Sequence, residues 1–115
     1  MEITETFYAA DREAWRKWLE NHHQSKKVIW LFFYKKHSKV PCVTYAEAVE
    51  EALCFGWIDS TAKKYDEEKY AQRFTPRNER SGWSALNISR VERLIQESRM
   101  TEAGMNKYKG KMRLN

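Results

Sequence analysis

An α+β fold, with a small antiparallel β-sheet packed by about four helices, follows from three features of the chain. Apolar residues recur at helical spacing in separate segments. Other segments are short, rich in β-branched and aromatic residues, and bounded by turn formers. Helix-capping residues stand at the boundaries between the two kinds.

Residues 2–7 suit a short edge strand. Asp11 is a good N-cap, and Ala14, Trp15, Trp18 and Leu19 repeat at helical spacing behind it. This helix runs to about Asn21, closed by His22 and His23. Lys27 to Tyr34, apolar from Val28 onward, reads as the central strand, covered on both faces. Residues 35–43 form a polar loop ending near Pro41. Thr44-Tyr45-Ala46-Glu47 is a capping box. It opens a helix whose stripe is Tyr45, Ala48, Val49, Ala52 and Leu53, with Gly56 as its stop. Trp57 to Lys64 and Tyr70 to Thr75 are two strands joined by a turn at Asp66-Glu67-Glu68. Pro76 ends the second. Ser84 opens a helix with Ile88, Val91, Leu94 and Ile95 on its apolar side. Thr101 caps a last short helix carrying Met105 and Tyr108, and residues 109–115 read as a frayed basic tail.

With 115 residues, 42% of them hydrophobic, the chain supplies one domain, 1–115, with a real core. Its longest apolar run, Val28 to Tyr34, is far too short for a transmembrane helix, so membrane insertion is not expected. The acidic, polar start Met1-Glu2-Ile3-Thr4-Glu5 lacks a secretory signal, and a cytoplasmic location is the expectation. Cys42 and Cys54 are isolated, without metal-ligand spacing, so reduced thiols and no metal are expected. Nothing calls for a cofactor. The net charge of +5 is uneven. Residues 1–59 carry 8 Lys/Arg against 9 Asp/Glu, and residues 60–115 carry 13 against 7. That asymmetry suits an anionic partner near the second half, or simply a solvated basic surface.

Two segments carry the densest mixture of aromatic, charged and hydroxyl groups. Alternation puts Trp57, Asp59, Thr61 and Lys63 on one side of their strand and Arg73 with Thr75 on one side of the next. A hairpin centred near residue 67 sets Asp59 opposite Thr75 and Thr61 opposite Arg73, all on one face. Asp59 beside Arg73 suits either ligand orientation or a structural ion pair. The following loop brings Arg77, Arg80, Ser81, Gly82, Trp83 and Ser84 to a helix start, where free amides and guanidinium groups favour an anion. The plainer reading makes Ser84 an ordinary cap and Trp83 packing. A small anionic or polar ligand, held by Trp57, Asp59, Arg73, Thr75, Arg77, Arg80, Ser81, Trp83 and Ser84, is the resulting expectation.

Other constellations are weaker. His22, His23 and His37 lack recognised ligand spacing and suit a surface. Glu47, Glu50 and Glu51 fall on the polar side of their helix, where solvation is the simple reading. Neither Gly-x-Ser-x-Gly nor a Cys–His dyad is present, and no reaction class follows. Lys63, Lys64, Lys69, Arg73 and Arg77 alternate with Tyr65, Tyr70, Phe74 and Trp83, which keeps nucleic acid as a second partner class. The acidic turn at residues 66–68 opposes it.

Several segments together resemble the YdeI/OmpD-associated family, or bacteriocin-protection proteins, over most of residues 7–105. They are Arg12-Glu13-Ala14-Trp15, Val28-Ile29-Trp30-Leu31 with Tyr34-Lys35-Lys36, Thr44 through Asp59, Gln72 through Arg77, and Val91 through Ile95. The resemblance implies a bacterial α+β protein linked to resistance against bacteriocins or cationic antimicrobial peptides. It implies no defined reaction. A basic chain does not attract cationic peptides at long range, so protection through an anionic metabolite or partner is the physical expectation.

Overall fold

The computed structural model describes residues 1–113, and side chains as far as residue 110. In chain order the elements are β1 (Thr6–Phe7), α1 (Arg12–His22), β2 (Ile29–Tyr34), a single 3-10 turn at Lys36–Ser38, α2 (Tyr45–Cys54), β3 (Trp57–Lys64), β4 (Lys69–Pro76), α3 (Ala85–Gln96) and α4 (Glu102–Arg113). The α+β class holds. The sheet is mixed rather than wholly antiparallel: its order is β1-β2-β4-β3, and the two-residue β1 pairs parallel to β2.

The helix starts follow capping chemistry. Asp11 accepts the Ala14 amide at 2.9 Å, and Ser84 accepts the Asn87 amide at 3.0 Å. At α2 both halves of the capping box are present: Thr44 accepts from the Glu47 amide, and Glu47 accepts from the Thr44 amide. Gly56, at φ +75°, turns the chain out of α2 into β3. The final helix runs further than the expected short element. Residues 109–113 are helical, and the rest of the expected frayed tail, Leu114 and Asn115, lies outside the described residues.

One face of the sheet is covered by helices. There Trp15 packs on Phe74 at 5.1 Å, and Trp18 meets Trp57 edge-on at 5.8 Å. Helix α2 is the central packing element, touching α1, β3, α3 and α4. Gly104 lets α4 reach it: a Cβ there would lie 2.3 Å from the Cys54 carbonyl oxygen. On the other face Phe32 and Tyr34 are only half-buried, so β2 is not buried at every position, as its apolar run suggested.

Candidate functional site

The expected cleft is only partly assembled, because β3 carries an irregularity. Trp57 pairs with Pro76, and Asp59 with Phe74. Beyond a register shift between Asp59 and Ala62, Ala62 pairs with Gln72 and Lys63 with Ala71. Directly opposed residues share a face. Trp57 and Asp59 therefore point to the helices, whereas Lys63 points away, and Thr61 lies unpaired within the shift. Arg73 pairs with Trp30 and also points away. The expected juxtaposition of Asp59 with Arg73 and Thr75 is thus overturned by one extra residue in the strand. Arg73 instead reaches Ser60 Oγ at 3.5 Å, while Asp59 accepts a 2.6 Å hydrogen bond from the Tyr45 hydroxyl of α2. Burial and that bond push the Tyr45 hydroxyl pKa up to about 12.

Arg77 differs most from expectation. Placed after Pro76, it reads as an exposed loop residue, yet it is 2% exposed. Its guanidinium stacks 3.9 Å from the Trp83 ring centroid, and Nη1 donates to the Gly82 carbonyl at 2.9 Å. Nε and Nη2 are buried without a hydrogen-bond partner. Burial drives its pKa down to about 10, against an opposing field from Asp59. At neutral pH the group is still a cation. Its backbone is fixed on both sides: the amide donates to the Gly56 carbonyl at 2.9 Å, and Lys107 Nζ donates to its carbonyl at 2.7 Å.

The rest of the loop divides between structure and exposure. Ser81 Oγ accepts the Asn78 amide at 3.0 Å and closes the turn. Ser84 caps α3, as the plainer reading had it. Arg80 is exposed, and a Cβ at Gly82 would meet nothing within 4 Å. Trp57 is a core residue against Trp18 and backs the corner without lining an open surface. The structure therefore brings together Asp59, Arg77 and Trp83, adds Tyr45, and sets Arg73 apart.

Sequence reasoning also missed a carboxylate. Glu51, placed on a solvated face, is fully buried. It accepts from Arg12 Nε at 2.8 Å and Nη2 at 2.5 Å, from Arg16 Nη1 at 2.8 Å and from Arg99 Nη2 at 2.8 Å. Burial pushes its pKa up, and the bonds from Arg16, Arg12 and Arg99 outweigh this, so the net shift is downward. The adjacent Glu50 binds Arg12 and Arg93. The legible signal was Arg12 and Arg16, one helical turn apart beside the apolar stripe of α1. This cluster ties α1, α2 and the α3–α4 connection together. Arg12, Arg16, Arg93 and Arg99 all face carboxylates. Among the described residues Arg77 has no such pair.

The basic–aromatic alternation does not make one nucleic-acid surface. Phe74 and Arg77 are buried, and Tyr70 stacks with Phe33 on the helix side. On the open face, Lys69 Nζ lies 5.1–5.3 Å from the rings of Phe32, Tyr34 and Tyr65 and bonds Asp66 at 2.9 Å. Those rings enclose an internal cation. Cys42 and Cys54 are unpaired. Among the described residues no group of three His, Cys, Asp or Glu side chains could hold a metal ion, and no helix is long and apolar enough to cross a membrane.

A family described as a domain of unknown function, DUF8412, matches residues 7–107, and the chain belongs to it. No curated protein and no solved structure matches the chain.

Proposed function

We propose that this member of a family of unknown function binds a small anionic or polar ligand at the Arg77–Trp83 corner, with Asp59 and Tyr45 as the neighbouring polar wall. The supporting observation is the Arg77 guanidinium: nearly fully buried, without a carboxylate partner, and holding two unpartnered N–H groups. Buried charge is destabilising unless paired and hydrogen-bonded. The arginines around Glu51 all meet its carboxylate, and Arg99 leaves one buried N–H, Nε, unpartnered against two on Arg77; the missing counter-charge favours a ligand-directed role for Arg77. A guanidinium edge offers two parallel donors, which suit carboxylate, sulfate or phosphate. Trp83 holds its flat side. The exposed turn around Asn78–Ser81 and the open space at Gly82 give the side of approach.

Resemblance to YdeI/OmpD-associated proteins supplies the physiological part of the proposal. The ligand would be an anionic metabolite or an anionic group of a partner, with protection against cationic peptides as an indirect result. The net charge of +5 disfavours direct peptide capture. The test is thermal melting in phosphate, sulfate or acetate at constant ionic strength, for the wild type and for Arg77→Met. A saturable rise in Tm for the wild type, absent from the variant, supports the reading. Equal responses of the two proteins refute it.

A further inference from the structure

A second hollow is lined by Tyr45 and does not include Arg77. It holds about 290 Å³ between the end of β2, the Lys36–Ser38 turn and the start of α2. Three lysines, Lys35, Lys36 and Lys39, stand around it, and no carboxylate lines it. All three are exposed. The lysines that do form ion pairs among the described residues are Lys26, Lys64 and Lys69. The nearby acids are engaged elsewhere: Glu68 with His37, Glu47 in the α2 cap and Asp59 with Tyr45.

The backbone gathers these cations. Ser38 N–H donates to the Lys35 carbonyl at 3.1 Å, and Lys39 N–H donates to the Lys36 carbonyl at 3.3 Å. Lys39 itself takes φ 58°, a left-handed conformation uncommon for a residue with a side chain. The tight turn returns Lys39 to the rim that carries Lys35 and Lys36. The floor is aromatic. Phe33 is buried and stacks with Tyr70 at 5.4 Å and 20°, and Tyr45 lies 6.2 Å from Phe33. The Cys42 thiol also lines the hollow, and burial pushes its pKa up, so it adds no negative charge.

Like charges gathered without a counter-charge at a concave site draw an anion, and an aromatic floor favours a flat apolar body. We infer that the hollow is a binding site for a small aromatic anion, a ring bearing a phosphate, sulfate or carboxylate group. The ring would lie against Tyr45, Tyr70 and Phe33, and the charged group would face the three lysines. This site shares Tyr45 with the Arg77 reading and rests on none of its other residues.

The test is a titration of the full chain with phenyl phosphate, inorganic phosphate and phenol, followed by amide NMR. Phenyl phosphate is expected to shift amides of residues 33–45 saturably and to bind at least about tenfold tighter than either fragment, because only it uses both lysines and rings. The triple variant Lys35→Gln, Lys36→Gln, Lys39→Gln alters exposed positions only. It should keep the wild-type spectrum elsewhere and lose at least about tenfold in affinity, given the strength of charge-assisted contacts. Arg77→Met should leave the phenyl phosphate shifts of residues 33–44 unchanged. Affinities are read from the amides of residues 33–44, and the inference is overturned if at these amides the triple variant binds as well as the wild type, if phenyl phosphate binds no better than inorganic phosphate, or if they do not shift at all.

Discussion

Replacing Glu51 by Gln removes the negative charge from the centre of the arginine cluster while preserving its shape. The side chain is fully buried and accepts four hydrogen bonds from Arg12, Arg16 and Arg99 at 2.5–2.8 Å. The amide offers one oxygen and turns an NH₂ group towards guanidinium donors. Three cations are then left close together without their shared counter-charge. Breaking a buried ion pair by removing one partner costs about 3–5 kcal/mol. In a domain of this size each kcal/mol shifts Tm by roughly 4 °C, so a fall of about 12–20 °C is expected. Thermal and urea unfolding followed by circular dichroism measure it, and the urea slope should stay constant if the native state is otherwise retained. A fall of less than about 3 °C would refute the view that this carboxylate joins α1, α2 and the α3–α4 connection.

Acid should reveal the same group: the folded-state pKa of Glu51 lies below its ordinary value of 4.5, so the unfolded chain takes up the proton first. Its contribution is present above about pH 4.5 and is lost as pH falls through the depressed folded value, so the Tm drop between pH 5 and pH 3 should be smaller in Glu51→Gln than in the wild type. Gly104→Ala places a Cβ 2.3 Å from the Cys54 carbonyl oxygen and 2.6 Å from that of Leu53, both rigid backbone atoms. Helix α4 must lift, with an expected loss of about 2 kcal/mol or more and faster amide exchange across residues 102–110; unchanged exchange there would contradict the packing.

Local chemistry was legible in the sequence; partners between elements were not. Asp11, the Thr44–Glu47 box and Ser84 act within a few residues of themselves, so their roles could be read directly. The bounds of β3, Trp57–Lys64, were equally clear from its composition. Its register shift was not, because Ser60 and Thr61 fit a regular strand as well as a bulged one. That single irregularity separated Asp59 from Arg73. Glu51 looked solvated because its three partners come from α1 and from the α3–α4 connection. Arg77 looked exposed because Pro76 suggested a surface loop, whereas Trp83 folds back over it. The lysine-rimmed hollow depends on the left-handed turn at Lys39, for which neither glycine nor asparagine gave a signal.

The most direct test of the central claim is the Arg77 Nε–H resonance, observed by side-chain NMR while phosphate, sulfate or acetate is added at constant ionic strength. A ligand reaching the buried guanidinium should move this resonance saturably, together with the Trp83 indole signal, and the response should be lost in Arg77→Met. Arg77→Met should also be as stable as the wild type or more so in the absence of anions, since an unpaired buried charge gives way to an apolar chain of similar length. An Arg77 resonance unmoved by every anion, with a variant that melts several degrees lower, would show that the guanidinium is structural and would contradict the binding account.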